Sequence, residues 1–154
     1  RCVLCPWRPA CAAAAAGIAD DLPARAEKAE RPQRYGVAFW LSRPDGAVLL
    51  RRRPETGLLG GMIELPSTPW RDDPWDAEAA IVEAPAAVSW RPLPGTVQHG
   101  FTHFRLDLAL MAGTIAEPID GIWARPDQFG DYAFPTLTKK LVSHAISVLP
   151  RVTK

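Results

Sequence analysis

Apolar residues alternate with polar ones through the middle of the chain, which is the spacing of a β-strand with one buried face. The clearest case is residues 104–112, where the apolar positions are Phe104, Leu106, Leu108 and Leu110. Aromatic and β-branched segments predict further strands at residues 35–41, 47–52, 62–65, 88–93, 95–102 and 121–124. Because Pro44-Asp45-Gly46 is a turn sequence, we expect the first two of these strands to form a hairpin.

Apolar residues at helical spacing predict two helices, at residues 73–84 and 136–149, and residues 126–129 predict a short helical turn. We expect Asp73 to cap the first helix and Thr136 to cap the second. The second helix has one apolar side, formed by Leu137, Leu141, Val142, Ala145, Ile146 and Leu149. A hairpin, a strand, a helix, more strands and a final helix predict an α+β fold, in which helices pack on the faces of a sheet.

A polar stretch at residues 17–33 contains few residues that could be buried, so it is predicted to be a linker. It divides a cysteine-containing segment, residues 1–16, from a folded domain, residues 34–150. No apolar stretch is long enough to span a bilayer and no signal peptide is visible, so we expect no membrane partner. Since the chain starts at Arg1 and not at Met, we also expect a fragment or a processed product.

The formal net charge is only +1 in 154 residues, so overall charge predicts no nucleic-acid partner. Any contact with DNA would have to come from a local basic patch. Two candidates are Arg51-Arg52-Arg53 and Lys139-Lys140. For each of them, the alternative is an ordinary solvated end of a strand or helix.

Three cysteines lie close together at the N-terminus, in the pattern Cys2-x2-Cys5-x5-Cys11. This spacing differs from the disulfide framework of a small secreted protein and indicates an intracellular metal site. Thiolates at this spacing can bind Zn²⁺. The alternative is three free thiols at a frayed terminus.

Three segments together resemble the C-terminal part of the MutY-type adenine DNA glycosylases. They are the run from Gln98 to Phe104, the run from Gly57 to Pro66 and the cysteine pattern. The resemblance implies an A/G-specific glycosylase of base excision repair, a hydrolase of N-glycosyl bonds, which removes adenine mispaired with 8-oxoguanine. It also implies a cytoplasmic protein that acts at the nucleoid. Its partners would be double-stranded DNA with 8-oxoguanine:adenine mispairs and an N-terminal catalytic domain in the same chain. That domain would precede Arg1, so we expect no catalytic residue here and no excision by this fragment alone.

The cluster pattern of that family, C-x6-C-x2-C-x5-C, matches Cys2, Cys5 and Cys11 to its last three cysteines. The resemblance therefore implies that these thiolates are ligands of a [4Fe–4S] cluster in the full-length protein. The remaining ligand would lie upstream of Arg1. We accordingly expect the cluster to be absent from this fragment.

A Phe-Ser-His loop between two strands is the lesion sensor that the resemblance implies, and here its residues are Phe101, Thr102 and His103. Oxidation at C8 turns guanine N7 into an N–H donor and adds a carbonyl oxygen, and a hydroxyl can accept as well as donate. Thr102 would therefore pair with N7–H or O8, Phe101 would pack near the base pair, and His103 would donate to a phosphate or a base edge. Threonine adds a methyl group that restricts χ1. From the residues alone, a polar turn with His103 satisfied by the backbone is the alternative, and we interpret His99 as structural or as a phosphate contact.

The folded domain also resembles the Nudix-type fold, an α/β/α sandwich with a mixed sheet, through the stretch from Gly60 to Pro66. The family pattern, G-x5-E-x7-R-E-x-x-E-E, supplies carboxylates for Mg²⁺. Counted from Thr68 it retains only Glu83, and counted from Gly57 it also builds no metal site. We therefore expect no diphosphatase activity and a structural role for Glu64. The alternative functions are a stand-alone Nudix hydrolase and a protein-interaction module.

Overall fold

In the computed structural model, which describes residues 2–23 and 30–150, the chain forms two compact units, Arg1–Glu30 and Arg31–Lys154. The first unit contains two 3-10 turns and a short helix, which are Cys2–Leu4, Arg8–Ala10 and α1 (Ala12–Ala15). Residues 24–29 of the predicted linker lie outside the described residues.

The second unit is built on one mixed sheet of six strands. The strands are β1 (Gln33–Ser42), β2 (Val48–Arg52), β3 (Ile63–Glu64), β4 (Arg91–Gly100), β5 (Arg105–Thr114) and β6 (Ile122–Ala124). Their order is β3-β2-β1-β5-β4, and β6 pairs with β2. Strands β1 and β5 are parallel, from Gln33 opposite Arg105 to Ser42 opposite Thr114. The other described strand pairs are antiparallel.

Strand β1 lies in the middle of the sheet, and residues 36–41 are all buried because both faces of the strand are covered. Helix α3 (Thr136–Val148) covers one face and contributes Leu141 to the larger hydrophobic core. Helix α2 (Ala77–Val82) covers the other face, where Ala80 is fully buried. A mixed sheet with helices on both faces confirms the predicted α+β sandwich.

Strand β4 replaces the two separate strands that were predicted at residues 88–93 and 95–102. It lies at an edge of the sheet, where Pro92 and Pro94 can be accommodated although they lack an N–H. Its pairing with β5 is irregular between Pro92 and Thr96, as in a β-bulge. The turn-forming residues therefore bend the strand without ending it.

Helix α2 lies inside the predicted range of 73–84 but is shorter, from Ala77 to Val82, and its N-cap is Asp76 and not Asp73. The carboxylate of Asp76 accepts a hydrogen bond of 2.7 Å from the amide of Ala79. The last helix starts at Thr136 as predicted, but Pro135 occupies the N-cap position and no side chain caps the helix. Among the described residues, no helix is both long enough and apolar enough to cross a membrane.

Candidate functional site

The three candidate lesion-contact residues lie in the tight turn between β4 and β5, which we call the Phe101–Phe104 turn. The amide of Phe101 donates to the carbonyl of Phe104 over 2.9 Å and closes the turn. Thr102 and His103 form the exposed tip. Neither side chain is hydrogen-bonded to another residue in the described part of the chain, so the Thr102 hydroxyl can both donate and accept.

Phe101 packs below the tip in an aromatic cluster formed by Trp70, His99, Phe101 and Phe104. The Phe101 ring centroid lies 4.7 Å from that of Phe104, and 4.6 Å from that of His99, which it meets edge to face. Trp70 and Phe101 are stacked, with centroids 5.6 Å apart and an interplanar angle of 29°. All four rings are half-buried. The structure thus places Phe101 as support for the turn, with Thr102 and His103 directed to solvent.

His99 lies on β4, and its Nδ1 is buried without a hydrogen-bond partner among the described residues. Burial lowers the pKa of His99, and the positive charge of Lys140 lowers it further. The neutral ring is therefore favoured in the folded state. This environment supports the structural interpretation of His99 more than a contact with phosphate.

Two arginines that were not identified from the sequence lie beside the turn. Arg31 Nη1 donates to the carbonyl of Phe101 over 3.0 Å. The guanidinium of Arg34 lies over the ring of Phe104, 4.8 Å from its centroid. Both arginines are exposed, and they reach this position because the start of β1 runs beside the start of β5. Arg34 Nε also lies 3.6 Å from the exposed carboxylate of Asp72, which offsets part of its charge. Together the two arginines leave positive charge next to the tip, where it can attract a phosphate backbone.

The basic patch predicted at Arg51-Arg52-Arg53 is engaged in contacts within the protein. Arg51 Nε and Arg53 Nη1 donate to the two carboxylate oxygens of Glu64 over 2.9 and 2.7 Å. Glu64 is only 5% exposed. Arg52 Nη1 donates to the carbonyl of Gly61 over 2.8 Å. These arginines hold β2 to β3 and to the glycine-rich loop at residues 57–61. Glu64 therefore has the surroundings of a structural residue.

The segment around α2 occupies the place where the Nudix pattern carries its metal-binding carboxylates. Counted from Thr68, which follows β3, the pattern assigns its four acidic positions to Pro74, Glu83, Ala86 and Ala87. The one acid among them, Glu83, is the C-cap residue of α2, while Asp76 caps the start of the helix. Across residues 2–23 and 30–150, no three His, Cys, Asp or Glu side chains are grouped as a metal ion would need.

The three N-terminal cysteines belong to the first unit. Cys5 is exposed, Cys2 and Cys11 are half-buried, and all three are free thiols. A [4Fe–4S] cluster requires four thiolates gathered around a cubane. Among the described residues, the three cysteines are not grouped as a metal site.

A groove of about 890 Å³ opens at the other end of the sheet, between the ends of β1 and β5 and the last turn of α3. It is lined by apolar side chains such as Trp40 and Ile146 and by the arginines Arg43 and Arg91. Strands of this length span about 30 Å, so the groove is remote from the Phe101–Phe104 turn. None of the candidate lesion-contact residues lines it.

Comparison with known proteins places this fold in a family. The family model described as NUDIX domain matches residues 37–144. The C-terminal domain of mouse MUTYH, solved in complex with human PCNA, is 23% identical, with a TM-score of 0.60 over 74% of this chain and 88% of that chain. A MutT protein from Methanosarcina mazei Go1 is 18% identical, with a TM-score of 0.61 over 79% of this chain and 96% of that chain.

The NUDIX domain of Shewanella oneidensis NrtR, cocrystallised with ADP ribose, is 12% identical, with a TM-score of 0.55 over 84% of this chain and 96% of that chain. At these identities, the structural similarities indicate a shared fold only. The family match extends from β1 into α3 and covers most of the chain. The chain therefore belongs to the NUDIX domain family.

Proposed function

We propose that this chain is the lesion-recognition part of an A/G-specific adenine DNA glycosylase that acts at the nucleoid. It reads 8-oxoguanine opposite adenine, and a catalytic domain elsewhere in the same longer protein excises the adenine. The observation that carries the proposal is the exposed hydroxyl of Thr102, at the tip of a turn supported by the aromatic cluster. Similarity in fold to the C-terminal domain of mouse MUTYH supports it.

The chemistry of the tip matches the chemistry of the lesion. 8-Oxoguanine presents an N–H donor at N7 and a carbonyl oxygen at C8, whereas guanine presents an acceptor at N7 and only C–H at C8. The Thr102 hydroxyl can accept from N7–H and also donate to O8 of the lesion. With guanine it can only donate to N7, so the lesion offers one hydrogen bond more. Arg31, Arg34 and His103 lie where they can bind phosphates, which position the duplex but carry no sequence information.

Substitution of Thr102 tests the proposal directly. Thr102→Val keeps the shape and removes the hydroxyl, whereas Thr102→Ser keeps the hydroxyl. Titration with two duplexes, one carrying 8-oxoguanine:adenine and one guanine:adenine, gives the ratio of their affinities. Loss of a hydrogen bond that leaves its partner unsatisfied costs about 1–3 kcal/mol. We therefore expect Thr102→Val to reduce the ratio roughly tenfold to a hundredfold, while Thr102→Ser stays near wild type.

Arg34→Gln is the matched control for that titration. A phosphate contact is independent of the base, so this variant should weaken binding of both duplexes alike and lower the salt slope by about one. An unchanged affinity ratio in Thr102→Val would show that the hydroxyl is not the sensor. It would also leave the Phe101–Phe104 turn as an ordinary connection between strands.

A nucleotide diphosphate hydrolase is the second candidate, and membership of the NUDIX domain family favours it. The M. mazei MutT protein and the ADP-ribose-bound NrtR domain share the fold. Against it stands the loss of acids, since Glu83 is the one carboxylate at the four acidic positions and it lies at the end of α2. An assay of phosphate release from nucleoside triphosphates with Mg²⁺ tests whether the chain is a hydrolase. We expect none above buffer, and Mg²⁺-dependent release would favour the hydrolase.

A protein-interaction module is the third candidate, because the mouse MUTYH domain was solved in complex with human PCNA. The duplex titration separates this candidate from the lesion reader. An interaction module would bind both duplexes equally or bind neither.

We also propose that Cys2, Cys5 and Cys11 contribute thiolates to a [4Fe–4S] cluster in the longer protein. The free thiols at this spacing support the proposal by their chemistry, although their present placement does not assemble a site. Iron analysis of the longer protein and of its Cys5→Ser variant tests it. The variant should lose iron and the visible absorbance, and retention of about four irons per chain would contradict the ligand assignment.

A further inference from the structure

We infer that Trp70 is a positioning residue for the Phe101–Phe104 turn and so controls how Thr102 meets the lesion. The inference rests on the proposed function. Trp70 is neither on the turn nor next to it in the sequence. Its influence would pass through the aromatic cluster.

The indole of Trp70 packs against the start of β1. There is room for it because Gly36 has no side chain: a Cβ at this position would lie 2.9 Å from Trp70 Cδ1 and 2.7 Å from Leu108 Cδ2, closer than such atoms approach. The backbone beside the indole is fixed as well, since Tyr35 and Arg71 exchange hydrogen bonds of 2.8 and 3.1 Å between their amides and carbonyls. The contacts with β1 therefore position the indole through residues that do not belong to the turn.

From this position, Trp70 contacts the aromatic residues at both ends of the turn. It stacks on Phe101, with centroids 5.6 Å apart, and its ring lies 6.1 Å from that of Phe104. Phe101 and Phe104 directly flank the two tip residues, and their backbones share the hydrogen bond that closes the turn. Moving the indole would therefore move or loosen the segment that carries Thr102.

The outer face of Trp70 is covered by Arg53, whose guanidinium lies 5.2 Å from the ring centroid. Arg53 is itself held by the buried carboxylate of Glu64 over 2.7 Å. Glu64 belongs to β3 and to the stretch from Gly60 to Pro66 that resembles the strand before the Nudix box. In this chain, that stretch supports the aromatic cluster through Arg53 and Trp70.

Two variants and two readouts test the inference. Trp70→Leu keeps an apolar side chain but loses the stacked ring, and Trp70→Phe restores a ring. The first readout is the hydrogen-exchange rate of the Phe101 amide, which closes the turn. The second is the affinity ratio for the 8-oxoguanine:adenine and guanine:adenine duplexes. Loss of an aromatic pair corresponds to about two- to tenfold, so Trp70→Leu should speed exchange and lower the ratio by that factor, and Trp70→Phe should recover both.

Trp123→Leu is the matched control, because Trp123 is also half-buried and lies beneath an arginine, Arg43, at 5.3 Å. It is on β6, far from the turn in the sheet order, and should change neither readout. If Trp70→Leu does not fold, Gly36→Ala displaces the same indole from below and should shift both readouts in the same direction.

The outcomes separate the inference from the function on which it rests. If wild-type protein binds the two duplexes equally, the proposed function fails and the role of Trp70 in lesion reading fails with it. If wild-type protein discriminates and Trp70→Leu discriminates equally well, the inference about Trp70 alone is overturned. Unchanged exchange of the Phe101 amide in a folded Trp70→Leu variant overturns it too.

Discussion

His99 brings an ionisable ring into the aromatic cluster, where a positive charge is unfavourable. Burial, and to a smaller extent Lys140, lowers its pKa below the ordinary value of 6.5. Between the two pKa values the unfolded chain binds more protons than the folded one, so the free energy of unfolding falls as pH falls through that window. We predict that His99→Phe loses this dependence and keeps the edge-to-face contact. Urea unfolding over a pH series on both sides of the ordinary value measures it.

Salt separates the two causes of the pKa shift in that experiment. High ionic strength screens the charge of Lys140 but leaves the burial of the ring unchanged. Since burial is the larger cause, most of the pH dependence should persist in high salt. Equal pH dependence in wild type and His99→Phe would show that another group is responsible.

The residues of the tip could be identified from the sequence, whereas those that support the tip could not. Phe101, Thr102 and His103 are consecutive residues, so their motif can be recognised in the sequence without knowing the fold. Arg31 reaches Phe101 across 70 residues of sequence, and Trp70 depends on the missing side chain of Gly36. The positions of Arg31 and Trp70 both depend on how β1 pairs with distant parts of the chain. A local sequence pattern cannot predict that pairing.

At the scale of elements, the N-cap of α2 gives a direct comparison between two neighbouring aspartates. Asp76 accepts from the amide of Ala79, whereas the side chain of Asp73 makes no hydrogen bond to the described residues. An N-cap aspartate replaced by alanine costs about 1 kcal/mol. We predict that loss for Asp76→Ala and a much smaller one for Asp73→Ala, measured by urea unfolding. If the two losses were equal, the helix would begin where the sequence pattern placed it.

The buried ion pairs of Glu64 give a second prediction about elements. Breaking a buried pair costs about 3–5 kcal/mol, and the low end applies because Arg51 is nearly half exposed. Glu64→Gln should therefore destabilise the protein by about 3 kcal/mol, since two guanidiniums lose their partner and β2 loses its tie to β3. Glu55→Gln, at an exposed position in the adjacent loop, is the control and should leave stability near wild type. A small effect of Glu64→Gln would mean that water replaces the carboxylate.

The alternation of apolar and polar residues predicted where the strands lie, but it predicted only in part which of their residues are buried. Leu106, Leu108 and Leu110 are buried as predicted, but Met111 and Ala112 are buried too. The reason is that β5 lies inside the sheet, between β1 and β4, where both faces of its second half are covered. Strand order and parallel pairing are properties of the assembled sheet, so a period-two pattern cannot report them.

At the scale of the whole molecule, the family fold is retained while the acidic positions of its motif are replaced. The order of elements was sufficient to predict the sandwich, because it depends on how many strands and helices follow one another. The change in the box was visible in the sequence as well. Counted from Thr68, three of the four acidic positions hold no acid, since only Glu83 remains. The support that Glu64 gives to the aromatic cluster through Arg53 was not visible, because it depends on how β2, β3 and Trp70 come together in the fold.

Both hydrophobic cores are built within the second unit, between Val37 and Leu149. In the first unit, none of residues 2–23 is buried, and Trp7 is 76% exposed. We therefore predict that a chain starting at Arg31 folds on its own, because it contains the apolar burial that stabilises the unit. Its thermal midpoint, followed by circular dichroism, should stay within about 4 °C of the full chain, a shift that corresponds to roughly 1 kcal/mol in a domain of this size. A peptide of residues 1–30 should show no cooperative transition, since so short a segment buries too little surface. Loss of cooperative unfolding in the shorter chain would show that the first unit contributes to the fold of the second.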